Sequence, residues 1–399
     1  MTGVLPGRPV RVLMLCTSFP PTRPVVGGAE RQAEKLALEL IGRGCGVQML
    51  APLEDPAWPA RETVDGLTVH RFPVSDLARV LPRGAGVPNT LLRRMQTRRA
   101  VQARRAEFDL LHCHLAAPLC AFAAGAAAQL GKPVVCKVGC GGPLFDLLTT
   151  AATSLAGPAV VRGMVRSVHR WVAISDEIGG QLREWKVPAA RITRIPNGVE
   201  RVEVGPLPPG GVARRFLFLA RFAENRDPVT LVRAFERLLA AVPDCELALV
   251  GRGPLEGEVR RAVEAMPDGG ARVRFAGYSS PQPWLEWADA VVQPSLAEGM
   301  SNTLLEALVA GRACVATDIP PNRALLDGGR LGLLAAPGNA DAMAGAMRRL
   351  ATEPGLAASL ASRARAEVEP RYGIGRVADQ YLEMYAALGR AFAPRAHAR

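Results

Sequence analysis

The chain has 399 residues, which is too long for one ordinary hydrophobic core and predicts two domains of about 200 residues each. Apolar residues make up 49% of it and charged residues 22%, a balance that excludes a disordered or fibrous protein. The net charge is +12, and most of the excess lies in residues 1–200, so an anionic partner is expected near that half. Only 5% of residues are aromatic and no base-reading motif accompanies the charge, which argues against nucleic acid.

The first half of the chain alternates short apolar runs with helical patterns. The opening run is Val10–Cys16, and a loop rich in proline and glycine leads from it to a helical pattern at Ala29–Arg43. Short apolar runs of this kind predict buried strands. Further strands are predicted at Val47–Ala51, Leu67–Phe72, Leu110–His114, Val134–Val138, Trp171–Ile174 and Arg194–Pro196. The alternation indicates a parallel sheet with right-handed crossovers.

The second half repeats the pattern after a break. Glycine and proline cluster at Asn197–Gly211, which is the best candidate for an interdomain linker. The strands predicted after it are Arg215–Ala220, Glu246–Val250, Val273–Ala276, Ala290–Gln293 and Ala313–Ala316. The helices predicted there are Pro228–Val242, Gly253–Met266, Trp284–Trp287, Asn302–Ala310, Ala340–Glu353 and Ile374–Phe392.

Together the two halves predict an α/β fold of two Rossmann-like domains whose parallel sheets face an interdomain cleft. The N-terminal domain is expected at 1–198 and the C-terminal domain at 199–373. The helix within 374–399 is expected to pack back onto the first domain. Ligands of parallel α/β sheets bind at the carboxyl ends of the strands, so the functional residues are expected there.

Cysteine usage and hydropathy bear on the cellular location. The eight cysteines include no C-x-x-C pair, which is typical of reduced thiols in a cytoplasmic protein. The run Val12–Cys16 is too short for a signal peptide, and Leu115–Leu130 falls short of a bilayer span. A peripheral contact with the inner face of the cell membrane stays open.

A dense group of arginines lies in a helical pattern in the first half. Its spacing predicts several arginines on one helical face beside Leu91, Leu92, Met95 and Val101. Such a face either binds an anionic membrane or is a solvated surface. The members of the cluster are Arg93, Arg94, Arg98, Arg99, Arg104 and Arg105.

The strongest chemical signal is E-G-M-S-N-T-L-L-E, which runs from Glu298 to Glu306 directly after a predicted strand. A helix that starts here points its first N–H groups toward a ligand and favours a phosphate. Ser301 and Asn302 can cap that helix or donate to ligand oxygens. A carboxylate accepts two hydroxyl hydrogen bonds, as a sugar or a ribose offers. The alternative is a solvent-facing glutamate followed by an N-cap.

Two further segments follow strands of the first half. His112 and His114 point to the same side of a strand because side chains alternate. They could bind a metal, but no matching Asp, Glu or Cys cluster accompanies them, so no metal is expected. His112 is expected to be structural and His114 to line the ligand site. The glycines of Lys137–Gly142 either line the site or form a plain turn.

The motifs and their order resemble the family-four retaining glycosyltransferases, whose GT-B fold has two Rossmann domains. Glu298–Glu306 is similar to the E-x7-E signature of that family. The resemblance covers nearly the whole chain, and it is carried as well by Gly27–Glu30, His112–His114, Ile174–Ile178, Arg194–Val199 and Ala220–Asp227.

The resemblance implies roles for individual residues. Glu306 would bind the ribose of a nucleotide diphosphate sugar, and Glu298 the hydroxyls of the donor sugar. Arg221 and Arg226 would clamp the diphosphate, and His114 would contact the sugar near the reacting centre. The glycines and the start of the second-domain helix would approach the donor through their backbone or caps. These donor-binding residues are Gly27, Gly28, Gly299, Met300, Ser301 and Asn302.

One position departs from the family pattern. Lys followed by Gly is usual where this chain has Arg226 and Asp227. Arginine keeps the charge but is longer and flatter than an ammonium, so the phosphate geometry is open to change. A surface pairing of Arg226 with Glu224 or Asp227 is the alternative.

The resemblance further implies transfer to an acceptor hydroxyl with anomeric retention and no metal or other cofactor. The acceptor is expected to be lipid-linked or a saccharide, as in cell-surface polysaccharide or glycolipid synthesis. Four alternatives compete with this function: a phosphorylase, a nucleotide-sugar epimerase, a non-catalytic subunit that binds a nucleotide sugar, and a basic protein that binds membranes or nucleic acid. A phosphorylase normally needs pyridoxal phosphate, and the motif of the second domain offers no lysine.

Overall fold

The computed structural model describes residues 4–5, 8–21, 27–74, 86–153, 155–208 and 210–392. The chain divides into two compact units. Unit 1 comprises Met1–Gly198 with Ile374–Arg399, and unit 2 comprises Val199–Gly373. The predicted loop before Gly27 includes Pro24, and the predicted linker includes Pro209; both prolines lie outside the described residues, as do residues 393–399.

Unit 1 contains an eight-stranded sheet and a separate two-stranded ribbon of β1 (Val4–Leu5) and β2 (Arg8–Pro9). The strands of the large sheet are β3 (Arg11–Leu15), β4 (Gly46–Leu53), β5 (Arg61–Val64), β6 (Leu67–Pro73), β7 (Leu110–Cys113), β8 (Val134–Val138), β9 (Arg170–Ala173) and β10 (Ile192–Arg194). Their order is β10-β9-β8-β7-β3-β4-β6-β5. All neighbours are parallel except β5 and β6. The predicted parallel sheet is confirmed apart from this edge, where the turn at Asp65–Gly66 folds β5 back antiparallel onto β6.

The helices of unit 1 cover a sheet whose central strands are buried on both faces. They are α1 (Gly28–Gly42), α2 (Gly86–Ala103), α3 (Pro118–Gln129), α4 (Asp146–Ala152), α5 (Gly157–Ser167), α6 (Asp176–Glu184) and α14 (Ile374–Phe392). Helix α14 packs against α1 and buries Val377, Tyr381 and Tyr385 in the core of this unit. Arg43 at the end of α1 donates to the carbonyl of Gly375 at 2.8 Å.

Unit 2 contains a six-stranded sheet that is parallel throughout. Its strands are β11 (Arg215–Leu219), β12 (Glu246–Val250), β13 (Val273–Gly277), β14 (Ala290–Gln293), β15 (Ala313–Thr317) and β16 (Leu333–Ala335). Their order is β13-β12-β11-β14-β15-β16. Numbered within the unit, this is the 3-2-1-4-5-6 order of a Rossmann sheet.

The helices of unit 2 follow the strands in alternation. They are α7 (Pro228–Ala241), α8 (Glu256–Glu264), α9 (Pro281–Trp287), α10 (Asn302–Val309), α11 (Pro320–Leu325), α12 (Ala340–Thr352) and α13 (Leu356–Tyr372). Helix α8 starts three residues later than its pattern predicts. The backbone of Gly253 passes so close to Phe222 that a Cβ would lie 2.3 Å from its carbonyl oxygen, so this glycine belongs to a packed loop.

Each sheet has one switch point, where strand order reverses and a crevice opens at the carboxyl ends of the strands. In unit 1 it lies between β3 and β7, and in unit 2 between β11 and β14. His114 follows β7, and Gly27 with α1 follows β3. Arg221 follows β11, and the Glu298–Glu306 segment follows β14. The fold therefore gathers the sequence motifs of each unit at the edge where ligands of such sheets bind.

Candidate functional site

Glu298 is the polar centre of the switch point in unit 2. Its carboxylate is buried, and its polar contacts with the described residues are made by Oε1. Gln293 Nε2 donates to Oε1 at 3.1 Å and Ser295 Oγ at 3.0 Å. Arg226 forms an ion pair with the same oxygen. The carboxylate is therefore held in one orientation by three donors.

Arg226 thus has a different partner from the surface carboxylates that the sequence suggested. Its guanidinium reaches Glu298 and also lies 3.5 Å from Ser295 Oγ. The loops that carry the two residues are joined by the backbone, since Leu296 N donates to the carbonyl of Asn225 at 2.9 Å. Two of the predicted donor-binding residues are therefore in direct contact.

Asp227 explains how the chain departs from the Lys-Gly pattern. Its backbone has φ 45° and ψ 52°, the left-handed conformation that glycine adopts most readily. Aspartate also tolerates this region, and here its side chain accepts from Thr230 N at 3.3 Å. Asp227 is thus the N-cap of α7, with Pro228 at the first helical position.

Helix α10 begins in this crevice as the sequence predicts. Ser301 is its N-cap and accepts from Leu304 N at 3.2 Å. Thr303 Oγ1 donates to the carbonyl of Leu219 at 2.8 Å, which fixes the helix start to the end of β11. Gly299, Met300 and Glu306 are buried, Asn302 is half-buried, and Arg221 is exposed at the end of β11.

The start of α1 in unit 1 is covered by a carboxylate. Gly27 has φ 103°, which favours glycine, and a Cβ on it would lie 2.1 Å from Glu30 Oε2. Gly28 is the first residue of α1 and is exposed. Burial raises the pKa of Glu30, and Glu54 adds to this. An anion at these glycines would take the place that the Glu30 carboxylate occupies.

His114 is buried at the end of β7, with 2% of its surface exposed. Its Nε2 lies 3.4 Å from Lys137 Nζ on the adjacent strand β8. Burial, followed by the charge of Lys137, lowers the pKa of His114 well below its usual value. Burial likewise lowers the pKa of Lys137 to about 7. The imidazole is therefore neutral, and the lysine titrates near physiological pH.

His112 has a structural setting. It is fully buried, and its Nδ1 lies 2.7 Å from the hydroxyl of Tyr385 on α14. Its ring also lies 5.2 Å from that of Tyr381. Burial and the charge of Lys137 lower the pKa of His112 to about 3. Within the described ranges, no three His, Cys, Asp or Glu side chains gather closely enough to hold a metal ion.

The glycine segment after β8 forms a turn held by side chains. Asp146 accepts from Gly139 N at 2.8 Å and Cys140 N at 3.0 Å. Gln181 exchanges two hydrogen bonds with the backbone of Gly142. These contacts account for the segment as an ordered turn beside His114.

Four residues at the two switch points are not among the predicted site residues: Gln293, Ser295, Lys137 and Glu30. Two of them carry a signal that could have been found. Lys137 interrupts the apolar run Val134–Val138, and Gln293 ends the apolar run that begins at Ala290. A polar side chain in a buried strand needs a partner, which points to a site. The positions of Ser295 and Glu30 carry no such mark.

The residues of the arginine cluster and their apolar neighbours differ in exposure along α2. Leu91 and Met95 are exposed beside Arg94 and Arg98, whereas Val101 lies on the buried side. Arg104 is half-buried and donates to the carbonyl of Ala100 at 3.2 Å. Several arginines therefore share an exposed face with Leu91 and Met95, as predicted, whereas the prediction is wrong for Val101, which lies on the buried side of the helix. No helix in the described ranges is long and apolar enough to cross a bilayer. All eight cysteines are described, and none forms a disulfide.

Two Rossmann-like units with motifs at both switch points define a glycosyltransferase of the GT-B fold. Two family models agree: one described as a glycosyl transferase 4-like domain matches residues 27–198, and one described as glycosyl transferases group 1 matches residues 213–353. The chain belongs to the group 1 glycosyltransferases with the GT-B fold.

Individual relatives support the same class. A phosphatidyl-myo-inositol mannosyltransferase of Mycolicibacterium smegmatis is 29% identical over 390 residues, which cover 94% of this chain and 93% of the relative. The structure of Anabaena Alr3699/HepE in complex with UDP and glucose has a TM-score of 0.72 at 18% identity, covering 95% of this chain and 100% of that one. Sucrose-phosphate synthase from Thermosynechococcus elongatus has a TM-score of 0.76 at 20% identity, covering 96% and 100%.

Proposed function

We propose that unit 2 binds a nucleotide diphosphate sugar and that the enzyme transfers its sugar to a hydroxyl with anomeric retention, without a metal. The observation that carries the proposal is the convergence of Arg226, Glu298 and the start of α10 at one switch point. The HepE structure with UDP and glucose supports a donor of this class. Glu306 would bind the ribose and Glu298 the sugar hydroxyls.

The chemistry asks for stabilisation of a leaving diphosphate. Negative charge grows on that group as the anomeric carbon becomes oxocarbenium-like. Arg221, Arg226 and the N–H groups at the start of α10 are cationic or amide donors at this edge of the sheet. Donors fixed in advance where charge develops are usually the largest catalytic contribution. The roles of His114, Gly27 and Gly28 toward the donor stay predictions.

Glu306→Ala tests the donor site. Thermal shift with UDP, GDP, ADP and CMP identifies the nucleotide, because ligand binding raises the melting temperature by mass action. Calorimetry with the matching nucleotide sugar should then show no measurable binding by the variant at an unchanged circular dichroism spectrum. Glu264→Ala on the exposed side of α8 is the control. Unchanged affinity of the Glu306 variant would contradict the assignment.

We propose further that the acceptor is carried by a lipid and that unit 1 docks on the anionic inner face of the cell membrane. The M. smegmatis relative is named for a lipid acceptor, phosphatidyl-myo-inositol. Helices α2, α3 and α5 are neighbours and contain no acidic residue. They border a groove of about 640 Å³ lined by Arg94, Arg98 and Arg166 around an alanine- and glycine-rich floor.

Exposed apolar side chains accompany this groove. Leu91, which lines it, is 54% exposed, and Leu155, which precedes the lining residue Ala156, is also exposed. Apolar groups insert among lipid headgroups, while each basic residue near an anionic surface contributes about 1 kcal/mol. The combination fits a membrane surface better than a solvated helix face.

Vesicle sedimentation tests the docking surface. Replacing Arg94, Arg98 and Arg166 together with Gln should reduce binding to vesicles of phosphatidylcholine and phosphatidylglycerol by at least about ten-fold. Binding to pure phosphatidylcholine should not change. The control has the same loss of charge in unit 2: Arg233, Arg272 and Arg348, all exposed, replaced with Gln. Equal binding by both triple variants would show that the groove is only a solvated surface.

A further inference from the structure

We propose that Gln293 and Ser295 are positioning residues for the donor sugar: they hold Glu298 by Oε1 and so turn Oε2 toward the sugar hydroxyls. The inference rests on the proposed function of unit 2. It concerns two residues that the motif itself does not contain.

The geometry converges on one carboxylate oxygen. Gln293 Nε2 lies 3.1 Å from Glu298 Oε1 and 2.7 Å from Ser295 Oγ, and Ser295 Oγ lies 3.0 Å from the same carboxylate oxygen. Gln293 is 1% exposed and Ser295 is fully buried. A hydrogen-bonded side chain without access to solvent has one rotamer, so the carboxylate plane is fixed before a ligand arrives.

A second layer holds Ser295. Its carbonyl accepts a hydrogen bond from Thr317 Oγ1 at the end of β15. Asn322 Nδ2 in turn donates to the carbonyl of Thr317 at 3.1 Å. The chain of contacts runs from α11 across the ends of β15 and β14 to Glu298. It ties the carboxylate to the rigid sheet instead of to its own loop.

Gln293 brings a buried polar group that the stability of the fold does not require. Its Oε1 is buried, and no polar atom of the described residues reaches it. A buried acceptor without a partner destabilises the folded state, and an apolar residue of similar size would avoid that loss. The Nε2 of the same amide donates to Glu298 and Ser295. A residue that costs stability and serves one carboxylate is expected where function requires that carboxylate.

The test separates sugar recognition from nucleotide recognition. Calorimetry compares UDP with UDP-glucose and GDP with GDP-mannose for the wild type, Gln293→Leu, Ser295→Ala and Ser295→Thr. Both Gln293→Leu and Ser295→Ala should bind the nucleoside diphosphate within about two-fold of wild type. Each should bind the nucleotide sugar at least about ten-fold more weakly, because a donor to a charged group is lost. Ser295→Thr keeps the hydroxyl and should restore most of the affinity.

The pH dependence gives a readout that a purely structural role would not produce. Gln293→Glu places a second carboxylate beside Glu298, and like charges raise the pKa of the pair. Below that pKa the shared proton replaces the lost amide donor. The kcat/KM of this variant relative to wild type should therefore fall as pH rises.

The outcomes distinguish the two proposals. Gln282→Leu, on the exposed side of α9, is the matched control and should change nothing. If wild-type protein binds none of the nucleotides of the thermal-shift screen, the proposed function fails. If it binds a nucleotide sugar and Gln293→Leu and Ser295→Ala bind that sugar equally well, the positioning role is wrong. Parallel loss of nucleoside diphosphate and nucleotide sugar would also overturn it, since that result means collapse of the whole crevice.

Discussion

The two units share an architecture but differ in how their switch points treat charge. In unit 2 the Glu298 carboxylate is buried among three donors, and α10 begins with a serine cap. In unit 1 the start of α1 is a glycine under a carboxylate, and a buried lysine faces a neutral imidazole. The comparison shows that the same fold can hold a buried carboxylate in place with donors or bury a lysine at the expense of stability. The first arrangement suits recognition of a charged ligand, and the second depends strongly on pH.

The largest expected effect concerns the satisfied charge of unit 2. Arg226→Ala should lower kcat by roughly 10²–10³, as loss of one electrostatic donor does in other enzymes. Arg226→Lys keeps the charge and restores the residue usual in the family, so it should retain most of the activity. The measurement is transfer with the nucleotide sugar identified by thermal shift. An Arg226→Ala enzyme with wild-type kcat would show that the pair with Glu298 is structural.

The next effect concerns the costly charge of unit 1. Lys137 has its pKa lowered from 10.5 to about 7 by burial, while Cys16 and Asp146 act in the opposite direction. Between these two values the unfolded chain binds more protons than the folded one, so stability rises with pH, by at most about 1.4 kcal/mol per pH unit. Lys137→Met removes the buried charge and the loss of stability that it causes. It should raise the free energy of unfolding most at or below pH 7 and progressively less toward pH 10.5.

Urea unfolding across this pH range measures the difference between Lys137→Met and wild type. The neighbours of the lysine include His114, which is already neutral, so its titration does not mask the slope. Lys186→Met, in an exposed turn of the same unit, is the control and should show no pH-dependent gain. A constant difference between Lys137→Met and wild type at every pH would mean that the lysine has the same pKa in the folded and the unfolded chain.

The smallest effect concerns the residue that replaces glycine in the family pattern. Asp227→Ala loses the cap of α7 and keeps a left-handed backbone, so it should lower stability by about 1–2 kcal/mol. Asp227→Gly loses the cap but relieves the backbone, so it should lie within a few tenths of a kcal/mol of wild type. Thermal denaturation of the two variants measures both. A large loss with glycine would show that the aspartate carboxylate has a further role.

Much of the fold follows from local pattern, because buried strands read as short apolar runs and helices as amphipathic ones. Strands such as Val134–Val138, Glu246–Val250 and Ala290–Gln293 coincide with their prediction. The short strand Leu333–Ala335 and the antiparallel Arg61–Val64 were missed. A strand of three residues is too short to show a periodic pattern of apolar side chains. The direction of an edge strand such as Arg61–Val64 is set by its turn and by the strand it pairs with.

The sequence alone determined the class of protein, because the Glu298–Glu306 segment and the order of the other motifs are recognisable without knowledge of the fold. It could not show that Arg226 pairs with Glu298, residues 72 positions apart, or that Gln293 and Ser295 share one carboxylate oxygen. Nor could it show that Lys137 faces His114. Those contacts arise only when parallel strands bring their carboxyl ends to one edge, since burial and partner are properties of the packed sheet.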